Sequence, residues 1–168
     1  RAMLNIIYTY GKDEFLLRQS YLRELHHELM KYYSKSQKPI GAYKKSINNV
    51  VKENVQTKKK KMIFKTADPG NQTEMAMQEL VDWYNNTLPQ EPWAVATISE
   101  FIYRFLAIHP FQDGNGRLAR GLWTYCMLHS PSKELAKLAP YLAIDRYIEQ
   151  NKETYYLTLQ RCSSGVFK

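Results

Sequence analysis

From His109 to Arg120 the chain reads His-Pro-Phe-Gln-Asp-Gly-Asn-Gly-Arg-Leu-Ala-Arg, and these residue types could together perform phosphate chemistry. His109 ends a helical pattern, because Pro110 disfavours α backbone at the residue before it. An imidazole with an ordinary pKa of ~6.5 can accept a proton from an attacking hydroxyl at neutral pH. Alone it would be an ordinary helix-end histidine; its neighbours make it a candidate base. Gly114 and Gly116 flank Asn115 just where a new helix opens. Glycines allow close backbone approach, and the unpaired N–H groups of a helix start point at an anion. Asp113 beside such a pocket would repel phosphate unless Mg²⁺ bridged them, an ion that takes one or two carboxylates together with phosphate oxygens. Its plainer role is a helix cap. Arg117 and Arg120 lie three apart on one helix face, where guanidinium groups pair with phosphate oxygens. Either arginine alone would be read as a surface ion-pair partner.

These residues need elements to position them. Helical periodicity runs from Lys12 to Tyr33 through Leu17, Tyr21, Leu22, Leu25 and Leu29. Ser36–Gly41 is a connector. The β-prone runs Asn49–Val51 and Met62–Phe64 enclose a polar stretch with Lys58-Lys59-Lys60-Lys61, which reads as a hairpin with a long basic tip. Asp68-Pro69 offers a cap and a first-turn proline for a helix through Asn85, with Met77, Leu80, Val81 and Tyr84 inward. After Pro89 and Pro92 a helix carries the stripe Ile98, Phe101, Ile102, Phe105, Leu106, and Phe111 turns inward as an anchor. Arg117–His129 resumes with Leu118, Leu122, Tyr125 and Cys126 on one face. Pro131 and Pro140 bound a short segment, and Asp145–Arg161 reads as a last helix. The expected fold is a mainly α helical bundle with one β-hairpin.

The 168 residues suffice for one domain with a sizeable core, and we expect residues 1–168 to form a single domain. A chain beginning at Arg1 rather than Met reads as a fragment of a longer protein. No apolar run approaches the ~18 residues of a membrane span. Cys126 and Cys162, without metal-ligand spacing, read as reduced thiols of a cytoplasmic protein. The net charge of +8 admits nucleic acid or an acidic partner without choosing between them.

The motif resembles the His-Pro-Phe-x-Asp/Glu-Gly-Asn-Gly-Arg-x-x-Arg signature of Fic-domain (Fic/Doc) proteins without a substitution, and the resemblance runs from about Leu22 to Tyr156. It implies a Fic fold with a flap over the motif loop, and a protein adenylyltransferase that moves AMP from ATP to a Ser, Thr or Tyr hydroxyl of a target protein. By position it implies His109 as base and Asp113 as the Mg²⁺ ligand. Gly114, Asn115 and Gly116 would cradle the α- and β-phosphates, and Arg117 and Arg120 would face the β- and γ-phosphates. The hairpin of about residues 48–65 resembles the flap on which the target docks by strand addition, and Tyr156 of the Tyr155-Tyr156 pair resembles an adenine neighbour.

Two departures stand out. Gly41-Ala42-Tyr43-Lys44 replaces the usual Gly-x-Tyr-Arg, putting a point charge where a forked donor is common. No segment satisfies the Ser/Thr-x-x-x-Glu-Gly/Asn pattern of the inhibitory helix: Leu follows both Ser20-x-x-x-Glu24 and Ser130-x-x-x-Glu134, and Asn49 precedes Glu53-Asn54. Such a helix is therefore expected from a missing segment or from a separate antitoxin-like protein. Other readings on the same scaffold are AMP removal and transfer of another nucleotide or of phosphocholine. A Doc-type kinase typically has Lys at the position of Gly116. From another class, the basic tip suggests a nucleic-acid-binding module, but no nucleic-acid motif accompanies it.

Overall fold

The computed structural model describes residues 16–32, 39–53, 58, 60–90 and 92–163. These form a mainly helical bundle with one small antiparallel hairpin. Helix α1 is Gln19–Met30, strands β1 and β2 are Val50–Glu53 and Lys60–Phe64, and α2 is Asn71–Thr87. Then come α3, Ala94–Ile108, and α4, Asn115–Leu128, followed by α5 (Lys133–Leu138), a 3-10 turn (Ala139–Tyr141), α6 (Ile144–Gln150) and α7 (Lys152–Ser163).

Helix α3 is the axis of the bundle. It packs between α2 and α4, with Ile98, Phe101 and Phe105 fully enclosed. The stripe read from the sequence faces Met77, Leu80, Val81 and Tyr84 of α2 and Leu118, Leu122, Tyr125 and Cys126 of α4, all buried. This packing fixes the end of α3 and the start of α4, and so the ends of the motif loop.

Helix α4 opens at Asn115 rather than Arg117, β1 runs on to Glu53 rather than Val51, and β2 starts at Lys60 rather than Met62. Three further boundaries differ from the sequence reading for local reasons. Helix α1 starts at Gln19 rather than Lys12, and 12–15 and 33 lie outside the described residues. Leu17 stays outside the helix, where the Asn85 side chain near the end of α2 accepts its N–H at 2.9 Å and donates to its carbonyl at 2.8 Å. Asp68 does not cap α2. Gly70 holds that position at φ 82°, while Asp68 turns its carbonyl to Thr73 Oγ1 at 2.6 Å. The last helix is two. Asn151, at φ −117°, breaks it, and both its backbone N–H, at 3.1 Å, and its Nδ2, at 2.9 Å, donate to the Tyr147 carbonyl.

The hairpin pairs Val51 with Met62 and Glu53 with Lys60, with an irregularity between Val50 and Val51. Residues 54–57 and 59 of its expected tip lie outside the described residues. Among the described residues no helix is long and apolar enough to cross a membrane.

Candidate active site

Residue His109 closes α3 in left-handed backbone, φ 55° and ψ 57°. For a residue with a Cβ this conformation costs about 1–2 kcal/mol, so the surroundings must enforce it. They do so through the carbonyls of the loop. Ile108 O accepts from Lys44 Nζ at 3.0 Å, and His109 O from Asn48 Nδ2 at 3.0 Å. Pro110 O accepts from the Lys44 N–H at 2.8 Å. Phe111 O accepts from both Asn48 Nδ2 at 2.7 Å and Asn115 Nδ2 at 2.6 Å, and Asp113 O binds His26 Nε2 at 2.9 Å. The Phe111 ring is fully buried and stacks on His26 at 3.9 Å, with Tyr43 edge-on at 5.4 Å. Burying such a ring contributes roughly 1.5–3 kcal/mol.

Imidazole Nδ1 of His109 lies 3.2 Å from the Leu106 carbonyl. A carbonyl only accepts, so Nδ1 carries the hydrogen and Nε2 holds the basic lone pair. Burial pushes the imidazole down to about 4, against the Leu106 carbonyl and Asp113, with the Lys44 charge acting in the same direction as burial. The ring is therefore neutral at pH 7.

Helix α4 begins immediately beyond the loop. Its cap, Gly114, sits at φ 81° and has no side chain to offer the first-turn amides. A Cβ at Gly114 would lie 2.7 Å from Met30 Sδ, so both conformation and space require glycine there. Gly116 differs. A Cβ there would meet only Arg120 at 3.6 Å, an ordinary contact. Packing does not demand glycine at 116; close approach of a ligand would.

The Asn115 side chain is buried and tied to the loop, accepting from the Phe111 N–H at 2.9 Å and donating one Nδ2 hydrogen to the Phe111 carbonyl. These two bonds hold its backbone amide at the start of the helix. Asp113 accepts the Gly114 N–H at 2.7 Å and stands 3.5 Å from Arg117. It acts on the amide of the cap residue rather than on the later amides that a helix-capping carboxylate satisfies. Among the described residues no group of three or more His, Cys, Asp or Glu side chains could hold a metal. A cation here would have Asp113 as its protein ligand and phosphate oxygens for the rest, which suits magnesium. Arg120 donates from Nε to Asp145 of α6 and from Nη1 to the Gly116 carbonyl at 2.9 Å. Tyr156 is about half exposed on α7, edge-on to Tyr155 at 5.5 Å. Burial raises Tyr155, and the nearby Arg120 charge opposes this.

The loop, the α4 start and both arginines are thus one continuous unit, and a family model described as Fic/DOC matches residues 16–127. The chain belongs to the Fic/DOC family. It is 30% identical over 105 residues to a Fido domain-containing protein of Dictyostelium discoideum, covering 58% of this chain and 72% of that one. It is 41% identical over 56 residues to protein adenylyltransferase fic-1 of Caenorhabditis elegans, covering 32% of this chain and 11% of that one. The crystal structure of a Fic family protein from Desulfovibrio desulfuricans G20 superposes with a TM-score of 0.71 at 26% identity, over 96% of this chain and 44% of that one. A Fic domain-containing signaling protein from Bacteroides thetaiotaomicron gives 0.62 at 32% identity, over 74% and 44%. The chain therefore spans less than half the length of these solved relatives and about a tenth of fic-1.

The motif was legible from the sequence, but its supports were not. Lys44 is buried, and its ammonium also meets Asn48 Oδ1 at 2.8 Å and Thr66 Oγ1 at 3.0 Å, joining both ends of the hairpin to the loop. Burial brings it down to about 8, with Asp68 opposing. With lysine at this position, the base of the hairpin is still anchored to the loop. Asn48, His26 and Asp145 carry no local sequence signal, since each acts on a partner more than twenty residues away.

Proposed function

We propose that this Fic-domain chain transfers AMP from ATP to a Ser, Thr or Tyr hydroxyl of a target protein, using Mg²⁺. One observation carries the reading. A neutral imidazole with a basic Nε2 adjoins an uncapped, glycine-flanked helix start that bears two arginines. The target hydroxyl oxygen attacks the α-phosphorus while its proton passes to His109 Nε2. The bond from the α-phosphorus to the oxygen bridging to the β-phosphate breaks, and pyrophosphate leaves toward Arg117 and Arg120. The amides of Gly114, Asn115 and Gly116 stabilise the charge on the phosphate oxygens. Magnesium held by Asp113 and the phosphates would neutralise charge on the leaving group. Tyr156 lies against the adenine, and the flap docks the target's backbone.

Similarity to fic-1 favours AMP transfer over AMP removal or transfer of another group, and Gly116 argues against the Doc-type kinase. The reading belongs in the cytoplasm, where ATP is available and Cys126 and Cys162 stay reduced. An inhibitory helix from another segment or from an antitoxin-like protein would act at Arg120. Incubation with α-labelled and γ-labelled ATP plus cell lysate tests the proposal. Label from the α position alone supports AMP transfer, and label from γ alone indicates a kinase. No label, with salt-dependent retention of DNA, would favour the nucleic-acid module.

A further inference from the structure

His26, on the inner face of α1, is 1% exposed and has no part in the chemistry above. Its neighbours dictate its tautomer. The Gly41 N–H donates to Nδ1 at 2.9 Å, so Nδ1 bears a lone pair, and Nε2 must donate its hydrogen to the Asp113 carbonyl at 2.9 Å. The ring lies flat on Phe111, 5° from parallel, and Nε2 stands 3.4 Å from where a Gly114 Cβ would be. Two hydrogen bonds and the face of Phe111 hold the ring against the loop.

A trans peptide sets its C=O and N–H on opposite sides. Holding the Asp113 oxygen inward therefore turns the Gly114 N–H outward, where at present it meets Asp113's own carboxylate. That amide is the first of the run that continues into the start of α4. We propose that His26 is a positioning residue: by gripping the Asp113 carbonyl it aims the Gly114 amide at the anion and sets the stance of the Asp113 carboxylate. When a cation draws that carboxylate away, the amide is already directed at a phosphate oxygen. The identity of the anion rests on the reading above, but the aiming of the amide does not.

Two variants separate aiming from simple packing. His26→Gln keeps a donor near the Nε2 position but loses the acceptor for Gly41. His26→Asn keeps an acceptor near the Nδ1 position but loses the donor to Asp113. The whole chain would be compared by urea unfolding, by the ¹⁵N–¹H resonance of Gly114, and by kcat and KM for transfer. His26→Gln should preserve the Gly114 resonance and keep kcat within about threefold. His26→Asn should move that resonance and lower kcat roughly 10- to 100-fold with KM for the target unchanged, the order expected when one preorganised donor is misaimed. Losses that merely follow stability, or that are equal in both variants, would overturn the proposal. Should either variant fail to fold, the ¹⁵N shifts of the wild-type His26 ring decide, and hydrogen on Nδ1 would refute the inference. A wild-type chain that binds no ATP would refute the transfer reading, while the Gly114 resonance and the ring tautomer still judge the aiming.

Discussion

On its inner side the motif loop gives the carbonyls of Ile108, His109, Pro110, Phe111 and Asp113 to Lys44, Asn48, Asn115 and His26. On its outer side Asp113, Arg117, Arg120 and Asp145 meet in ion pairs that water reaches, with Asp145 75% exposed. The inner contacts are mostly neutral, short and buried, and losing one partner strands a polar group away from water. The outer contacts are charged and screened, worth about 0–1 kcal/mol each. Shape is thus fixed from within, while the charges that would meet a phosphate stay free to exchange partners. Lys44 is the exception, a charge on the inner side whose ammonium meets three acceptors, Asn48 Oδ1, Thr66 Oγ1 and the Ile108 carbonyl.

The largest expected effect is at His109, where the two sides meet. His109→Ala should lower transfer by a factor of about 10² to 10⁴, the usual contribution of a general base, and leave ATP affinity within a few fold. Calorimetry beside a transfer assay checks both. With the imidazole pushed down to about 4, kcat/KM should stay level from pH 8 to pH 5 and fall below that. The kcat profile should sit higher, because bound phosphates favour the protonated ring. For stability the sign is fixed by a folded pKa below the unfolded ~6.5. The unfolded chain then binds more protons between these values. The contribution of His109 is therefore complete above pH 6.5 and is lost as pH falls toward 4. An NMR titration of the ring gives the pKa directly.

Next comes the inner wall. Asn115→Ala strands both the N–H and one bond to the carbonyl of Phe111 in the core, and should cost roughly 2–4 kcal/mol in urea unfolding. Asp113→Ala, on the outer wall, should stay within about 1 kcal/mol in stability, as exposed ion pairs do. It should instead abolish the Mg²⁺ dependence of ATP binding, as thermal shifts with and without Mg²⁺ would reveal. Equal destabilisation by the two substitutions would break the contrast between the walls.

The same contrast explains what could be read in the sequence. The stripes of α2, α3 and α4 repeat every three or four residues, so Met77, Phe101 and Leu118 announced their burial. The motif was legible because His109, Gly114 and Arg117 are contiguous and chemically distinctive. The inner supports were not, because Asn48 reaches Phe111 across 63 residues and His26 reaches Asp113 across 87. Helix ends failed where a side chain captures backbone, as Asn85 does at Leu17 and Asn151 does at Tyr147.

Gly116 sharpens the argument by separating fold from ligand. Gly116→Ala adds a methyl that meets only Arg120 at 3.6 Å, in a helix where glycine costs up to about 1 kcal/mol relative to alanine. The variant should unfold at slightly higher urea. It should also bind ATP about tenfold more weakly, because the methyl stands where a phosphate must approach the amides. Gain in stability with no loss of affinity would remove Gly116 from the anion cradle.

The smallest expected effect is at Asp145, and it measures how adjustable the outer wall is. Asp145 holds Arg120 Nε, and Gly116 O takes one hydrogen of Nη1, so Nη2 and the second hydrogen of Nη1 are what the guanidinium can offer a phosphate in this arrangement. A two-pronged grip on phosphate through Nε and Nη2 requires Asp145 to let go. Its exposure keeps that release within about 1 kcal/mol. Asp145→Asn should therefore tighten ATP binding by no more than about fivefold, given that 1.4 kcal/mol is a factor of ten. The gain should shrink further in high salt, which screens the wild-type carboxylate. Titrations at two salt concentrations check both statements. A gain of a hundredfold or more would make Asp145 a brake on Arg120 built into this domain, and the outer wall would then be as rigid as the inner one.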